Sequence, residues 1–156
     1  VLGNDLSSLR MTATGLVGDG GFVLAWDKAN GDQRLLLGAS DGGALAVHES
    51  TDFGATFTMA ISLGSTYYTP AICAGTNGQR YIYALDGNTG TVDVIGWIVD
   101  AAGTVDGPFT AYTGVDAGAL DVDESPDPTS QHRLVMTVNV GGSLTILQSV
   151  LGKTFA

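Results

Sequence analysis

The chain has few of the residues that would point to disulfide bonds or to nucleic-acid binding. Cys73 is the only cysteine among 156 residues, so no disulfide can form within one chain. Lysine and arginine together number 6, against 16 aspartates and glutamates, which gives a net charge of −10. Such a surface repels phosphate backbones at ordinary salt. We therefore expect no nucleic acid as a partner.

Long apolar runs and cofactor motifs are also missing. No stretch approaches the roughly 18 apolar residues that a spanning helix needs, so we expect no membrane span. The sequence contains neither a G-x-x-x-x-G-K-[ST] loop nor a G-x-S-x-G motif. The acidic run at 121–127 has Pro126 and His132 where an EF-hand has its glycine and its last glutamate. We predict no cofactor, no metal site and no catalytic residues.

What the chain does contain is glycine and short runs of strand-forming residues. There are 23 glycines, and the runs between them consist largely of Thr, Val, Tyr, Ile and Leu. These residue types favour strands, and glycine favours the tight turns that join them. The composition predicts a single all-β domain over residues 1–156.

The runs recur at a regular interval. Three glycines lie 49 residues apart, at Gly54, Gly103 and Gly152. In each interval an arginine follows a polar turn and opens a hydrophobic run, which predicts a shared structural role for Arg34, Arg80 and Arg133. A period of about 40 to 50 residues built from short strands is typical of β-propeller blades.

Each repeat is predicted to form a four-stranded antiparallel blade, and the three blades span 16–63, 64–114 and 115–156. The predicted strands are 22–26, 34–39, 44–49, 56–63, 70–74, 80–85, 91–99, 109–113, 119–123, 133–139 and 143–149. The third blade lacks its fourth strand, whereas segment 6–15 resembles the fourth strand of the first blade. We expect residues 1–15 to act as a complementing outer strand, in their own chain or in a neighbour.

Three blades are fewer than the four to eight that close a propeller. The chain is therefore predicted to be part or half of a larger ring. Further blades of a longer protein or a second copy of this chain would complete it. The start at Val1 suits a piece of a longer protein.

Residues 50–57 read S-x-D-x-G-x-T-F. This motif resembles the Asp-box, or BNR repeat, of sialidases and many other propeller proteins. The resemblance implies a structural turn in which a carboxylate accepts backbone N–H groups and glycine takes a left-handed conformation. The structural residues implied are Ser50, Asp52, Gly54, Thr56 and Phe57. Later copies at 100–104 and 149–155 are incomplete.

The sialidase catalytic set is not apparent in the chain. The family resemblance would require an arginine triad, a tyrosine nucleophile backed by a glutamate, and an acidic acid/base. Only four arginines are present, three of them at strand starts, and the only glutamates are Glu49 and Glu124. The sequence therefore favours a non-catalytic module over an enzyme.

Loops at one end of the predicted blades collect polar and aromatic residues. Connections between second and third strands share that end with connections between blades. Tyrosine rings stack on sugar faces, and carboxylates accept hydrogen bonds from sugar hydroxyls. The predicted ligand-binding residues are Asp19, Asp41, Tyr67, Tyr68, Asp86, Asn88, Asp116 and Asn139.

These observations predict a recognition or structural propeller module that takes glycans as ligands. We expect it on an extracellular or virion surface, such as a phage tail. The alternative is a fragment of a secreted Asp-box glycoside hydrolase whose catalytic residues lie outside this chain.

Overall fold

The computed structural model describes residues 23–27, 34–41, 44–52, 54–87, 92–125 and 133–156. These residues form eleven strands and no helix. The strands build three antiparallel sheets, and each sheet follows chain order. The predicted all-β class is confirmed, and each of the eleven strands predicted between residues 22 and 149 overlaps an observed one.

The strand bounds define the three sheets. The first sheet contains β1 (Val23–Asp27), β2 (Arg34–Asp41), β3 (Ala44–Ser50) and β4 (Thr58–Gly64). The second contains β5 (Tyr67–Ala74), β6 (Arg80–Asp86), β7 (Val92–Val99) and β8 (Val105–Val115). The third contains β9 (Asp121–Ser125), β10 (Arg133–Val140) and β11 (Ser143–Ser149).

Turn and edge chemistry explains several of these bounds. Gly141 and Gly142 join β10 to β11 with φ values of 57° and 76°, which a two-residue hairpin turn requires. Pro108 lies inside β8, which is longer than predicted because an edge strand tolerates a residue that cannot donate to the ladder. Pro70 lies at the irregular pairing between Tyr68 and Ala71 on edge strand β5.

The second sheet is covered on both faces. On one face Ile82 and Trp97 pack with Leu36 of the first sheet. On the other face Tyr83 packs with Met136 of the third sheet. Successive strand residues point to opposite faces, so a strand buried on both sides reads as a continuous apolar run, as Tyr81–Leu85 does in β6.

The arginines at the strand starts do not share one role. Arg80 faces the first sheet, where its guanidinium lies 3.6 Å from the Glu49 carboxylate. Arg133 is exposed and lies on the face of β10 opposite to Leu134, which is buried against the second sheet. Both arginines are the first residues of their strands, but the two strands differ by one residue in their pairing with the next strand. A difference of one residue places the two side chains on opposite faces of their sheets. The predicted shared structural role is therefore wrong for this pair.

The first strands of the sheets lie together, since β1 contacts β5 and β5 contacts β9. Three strands of the third sheet are described, and Ala156 continues it: Gln148 and Ala156 exchange backbone hydrogen bonds of 3.0 and 3.2 Å. The complementing strand predicted at residues 1–15 lies outside the described residues.

Candidate functional site

The turn after β3 is held by side chains within its own eight residues. Asp52 Oδ1 accepts a hydrogen bond from the Thr56 backbone N–H at 2.9 Å, and Asp52 Oδ2 accepts one from the Thr56 hydroxyl at 2.7 Å. Ser50 donates its hydroxyl to Asp52 and accepts the N–H of Gly54, both at 2.8 Å. Gly54 has φ 80°, which favours glycine.

These hydrogen bonds stabilise the ionised carboxylate of Asp52. The bonds from Thr56, side chain first and backbone second, lower the pKa of Asp52 from 3.8 to about 2. Asp52 is exposed. The geometry is that of a structural turn.

The equivalent turn of the second sheet joins β7 to β8. Asp100 Oδ1 accepts the N–H groups of Ala102 at 2.9 Å and Thr104 at 2.7 Å. The backbone hydrogen bond from Thr104 lowers the pKa of Asp100. In sequence this copy differs from S-x-D-x-G-x-T-F, because its aspartate precedes Gly103 by three residues instead of two. Asp100 nevertheless accepts the backbone N–H of the threonine four residues later, as Asp52 does.

The third copy follows β11 and is held by contacts with the second sheet. Ser149 Oγ accepts the N–H of Gly152 at 2.9 Å, as Ser50 does for Gly54. The hydroxyl of Tyr83 donates to the carbonyl of Gly152. A Cβ at Gly152 would lie 2.8 Å from the Tyr81 ring, so only glycine lets the segment approach this closely.

The second and third turns form two walls of a groove. The groove has a volume of about 690 Å³ and lies between the second and third sheets at the end where β6 begins. Its lining residues are Asn77, Gln79, Tyr81, Ile98, Asp100, Thr104, Asp106, Val150, Leu151 and Lys153. The groove joins residues that are distant in the sequence.

Three polar side chains that line the groove form a hydrogen-bonded network. The Tyr81 hydroxyl donates to Gln79 Oε1 at 2.7 Å and accepts from the Asn77 amide at 2.9 Å. The same Asn77 amide nitrogen lies 2.8 Å from Gln79 Oε1. Burial raises the pKa of Tyr81, so its phenol stays neutral at physiological pH.

An ion pair connects the two sides of the groove. Lys153 Nζ lies 2.5 Å from Asp106 Oδ2 and 5.8 Å from the centre of the Phe109 ring. Both charged side chains are about half exposed. Beside them Val150 and Leu151 are 49% and 76% exposed, which gives the groove an apolar wall.

The arrangement offers the three kinds of contact that bind a polyhydroxylated ligand. Asp100 and Asp106 accept hydrogen bonds from hydroxyls, the amides of Asn77 and Gln79 accept and donate, and Val150 with Leu151 covers apolar C–H surface. Among the described residues no group of three His, Cys, Asp or Glu side chains could hold a metal ion. Nor does this part of the chain include a helix long and apolar enough to cross a membrane.

Those of the predicted ligand-binding residues that the structure describes lie at the opposite end of the sheets. Tyr67 and Tyr68 begin β5, and Asp86 ends β6 opposite Tyr67. The Asp116 backbone donates to the carbonyl of Asn139, and Asp116 Oδ2 accepts the N–H of Gly142 at 2.7 Å. Asp41 ends β2, but its side chain is not described, and Asp19 and Asn88 lie outside the described residues.

The two tyrosines do not form one platform. Tyr67 packs into the core between the first and second sheets, with its ring 4.9 Å from Trp97 and edge-on to it. Tyr68 packs against the core between the second and third sheets. Adjacent strand residues point to opposite faces, which separates the rings. The next residue, Thr69, has φ 49°, a strained value for a β-branched residue.

The sequence did not predict the groove, because its lining residues come from three separate segments of the chain. A usable signal was present in the 49-residue spacing of Gly103 and Gly152, which places two turns at the same end of neighbouring sheets. The sequence alone did not indicate that the turn after β11 would pack against Tyr81.

Comparisons with known proteins give a likeness to solved structures. No family model matches the chain, and no curated protein matches it. Among solved structures it is similar to a fucose lectin from Kordia zhangzhouensis in complex with methyl-fucoside, with a TM-score of 0.49 and 14% sequence identity. The similarity covers 87% of this chain and 96% of the lectin chain.

Proposed function

We propose that this chain is a non-catalytic glycan-recognition module and that the groove between its second and third sheets is the binding site. The observation that carries this proposal is the lining of the groove. A hydrogen-bonded network of Tyr81, Asn77 and Gln79 lies beside two carboxylates and an apolar wall. The volume of about 690 Å³ falls in the range of roughly 300–1,000 Å³ that is usual for small-ligand sites.

The charges of the groove favour neutral sugars. Asp100 and Asp106 are two carboxylates, and the one cation among the lining residues, Lys153, is already paired with Asp106. The chain as a whole carries a net charge of −10, which repels anionic ligands. Neutral sugars supply hydroxyl donors for both carboxylates without this repulsion.

Binding without catalysis fits the acid–base properties of the groove. A glycosidase needs a general acid whose pKa is raised, so that it carries a proton at working pH. The pKa of Asp100 is instead lowered by the backbone hydrogen bond from Thr104. We also propose, from the glycine-rich β repeats and the low lysine content of the sequence, a role in attachment on an extracellular or virion surface, such as that of a phage tail.

The test is binding of neutral glycans to the full chain, by array followed by calorimetry. We expect Asp106→Asn to weaken binding about tenfold, the loss of roughly 1.4 kcal/mol expected for one charge-assisted hydrogen bond. Asp86→Asn is the matched control, because Asp86 lies at the opposite end of the same sheet.

The outcomes distinguish a binding site in the groove from one at the opposite end of the sheets. Weaker binding in Asp106→Asn alone supports the groove. Weaker binding in Asp86→Asn alone would assign recognition to the end predicted from the sequence. Absence of binding to any neutral glycan, or equal binding of acidic sugars, contradicts the proposal.

A further inference from the structure

The orientation of the amide groups that line the groove follows from one backbone group. The Gln79 backbone N–H lies 3.0 Å from Asn77 Oδ1, and a backbone N–H can only donate. The Asn77 atom that it meets is therefore the oxygen, and the other end of this amide is the NH₂ group. That NH₂ group lies 2.8 Å from Gln79 Oε1 and 2.9 Å from the Tyr81 hydroxyl, so both of its hydrogens are used within the network.

The same reasoning orients the Gln79 amide. The NH₂ group of Asn77 needs an acceptor, so the Gln79 atom that faces it is the oxygen, which also accepts the Tyr81 hydroxyl at 2.7 Å. Both lone pairs of this oxygen are then occupied. The NH₂ group at the other end of the Gln79 amide makes no hydrogen bond within the part of the chain that the structure describes. Gln79 therefore brings two donors to the groove that it lines.

Asp100 brings an acceptor to the same face of the second sheet. Tyr81 pairs directly with Ile98 across β6 and β7, and Gln79 and Asp100 each lie two residues beyond this pair, on the same side. Asp100 Oδ1 accepts two backbone N–H groups of its own turn, and the Thr104 hydroxyl also donates to the carboxylate. A carboxylate has about four lone-pair sites, so Asp100 can accept one more hydrogen bond.

We propose that Gln79 and Asp100 are the specificity-determining pair of the groove and bind two adjacent hydroxyls of one sugar ring, a role that rests on the glycan binding proposed above. Side chains directly opposite each other on antiparallel strands have Cβ atoms about 4.5–5.5 Å apart, which brings both within reach of one ring. A sugar hydroxyl can donate and accept. One hydroxyl accepts a hydrogen bond from the Gln79 amide, and its neighbour donates to the Asp100 carboxylate.

A donor beside an acceptor selects among neutral sugars. A sugar residue that lacks one of the two hydroxyls, or carries a glycosidic linkage on it, leaves Gln79 or Asp100 without a partner in the occupied groove. An unpaired polar group in a desolvated site costs affinity. The expected ligands are therefore sugar residues with two adjacent unsubstituted hydroxyls.

Two isosteric variants change only the atoms that face the ligand. Gln79→Glu keeps an oxygen for the network and replaces the NH₂ group by a second oxygen. Asp100→Asn keeps an oxygen for the two backbone N–H groups and replaces the other oxygen by an NH₂ group. The matched controls are Gln148→Glu, at an exposed residue outside the groove, and Asp86→Asn, at the opposite end of the second sheet. We expect all four variants to fold, which thermal unfolding measures.

Calorimetry measures the contribution of each hydroxyl separately. The probes for the full chain are the methyl glycosides of glucose, galactose and mannose, each compared with its monodeoxy derivatives. For the sugar that binds best, we expect removal of either of two adjacent hydroxyls to weaken binding about tenfold. In Gln79→Glu the parent sugar binds about tenfold more weakly, and one of the two deoxy penalties disappears. In Asp100→Asn the other penalty disappears, because coupling is lost only between groups that touch.

The results for the pair can be told apart from those for the groove as a whole. Loss of one deoxy penalty in each groove variant, with both penalties kept in the controls, supports the pair. Penalties at hydroxyls that are not adjacent, or penalties that neither groove variant changes, would overturn it, while Asp106→Asn still tests the groove as a glycan site. Absence of binding to all three glycosides would also overturn the pair, and the glycan array then tests the proposed function separately.

Discussion

The turns after β3 and after β11 reach similar geometries by different means. The first is held almost entirely by Ser50, Asp52 and Thr56, all within the turn. The turn after β11 lacks the aspartate. Its Gly152 lies against Tyr81, and the carbonyl of Gly152 accepts a hydrogen bond from the Tyr83 hydroxyl. One turn is thus specified by local hydrogen bonds, and the other by packing on a neighbouring sheet.

The two phenylalanines that end these turns show the same contrast. Phe57 is half-buried beside its own turn, where a Cβ added at Gly54 would lie 3.8 Å from its ring. Phe155 is 3% exposed, and its ring stands edge-on to Tyr83 at 5.4 Å. The copy with the poorer motif therefore contributes more to the contact between sheets.

The largest expected effect comes from removing Phe155. Phe155→Ala should lower the free energy of unfolding by about 3–5 kcal/mol, because the side chain is buried and leaves a cavity next to Tyr83. Urea unfolding of the full chain measures this loss. Phe57→Ala is the control and should cost less. Equal losses would show that the two turns contribute alike.

The next largest effect separates backbone strain from close packing. Gly103 and Gly152 both have positive φ, at 87° and 71°, but a Cβ at Gly103 would meet nothing within 4 Å. Each Gly→Ala change should therefore cost the strain of a left-handed alanine, about 1–2 kcal/mol. Gly152→Ala should cost about 1–3 kcal/mol more, because its methyl group collides with Tyr81. Equal unfolding free energies for the two variants would contradict this account.

The smallest effect concerns the first turn and depends on pH. The pKa of Asp52 is lowered to about 2, so its stabilising contribution is present above pH 3.8 and is lost as the pH falls toward 2. Asp52→Asn should lower the melting temperature at pH 5, and the gap to the unmodified protein should narrow steadily toward pH 2. A gap that stays constant across this window would mean that the carboxylate charge has no part in the turn.

Much of the fold could be predicted from the sequence because its signals are local. Strand runs such as 80–85 are bounded by glycine and Asx turns, and each of the eleven strands predicted between residues 22 and 149 overlaps an observed one. The Asp-box motif likewise predicts a turn whose hydrogen bonds span four residues at most. These features depend on neighbours in the chain, so the order of residues is sufficient to locate them.

The candidate site could not be predicted in the same way. Tyr67 and Tyr68 are adjacent in sequence and were expected to act together, yet they pack into different cores. The groove instead unites Tyr81 with Leu151, 70 residues further along the chain. Nothing near either residue indicates the other.

By itself, the sequence determined an all-β chain of repeating antiparallel strands, with glycine turns at a fixed interval. Only the tertiary structure decided which face of each strand meets which sheet, as the opposite placement of Arg80 and Arg133 shows. The reason is that strand side chains alternate with a period of two, so a shift of one residue reverses the face while the pattern of strand and turn stays the same. The groove depends on those faces, and the packing of the sheets therefore created it.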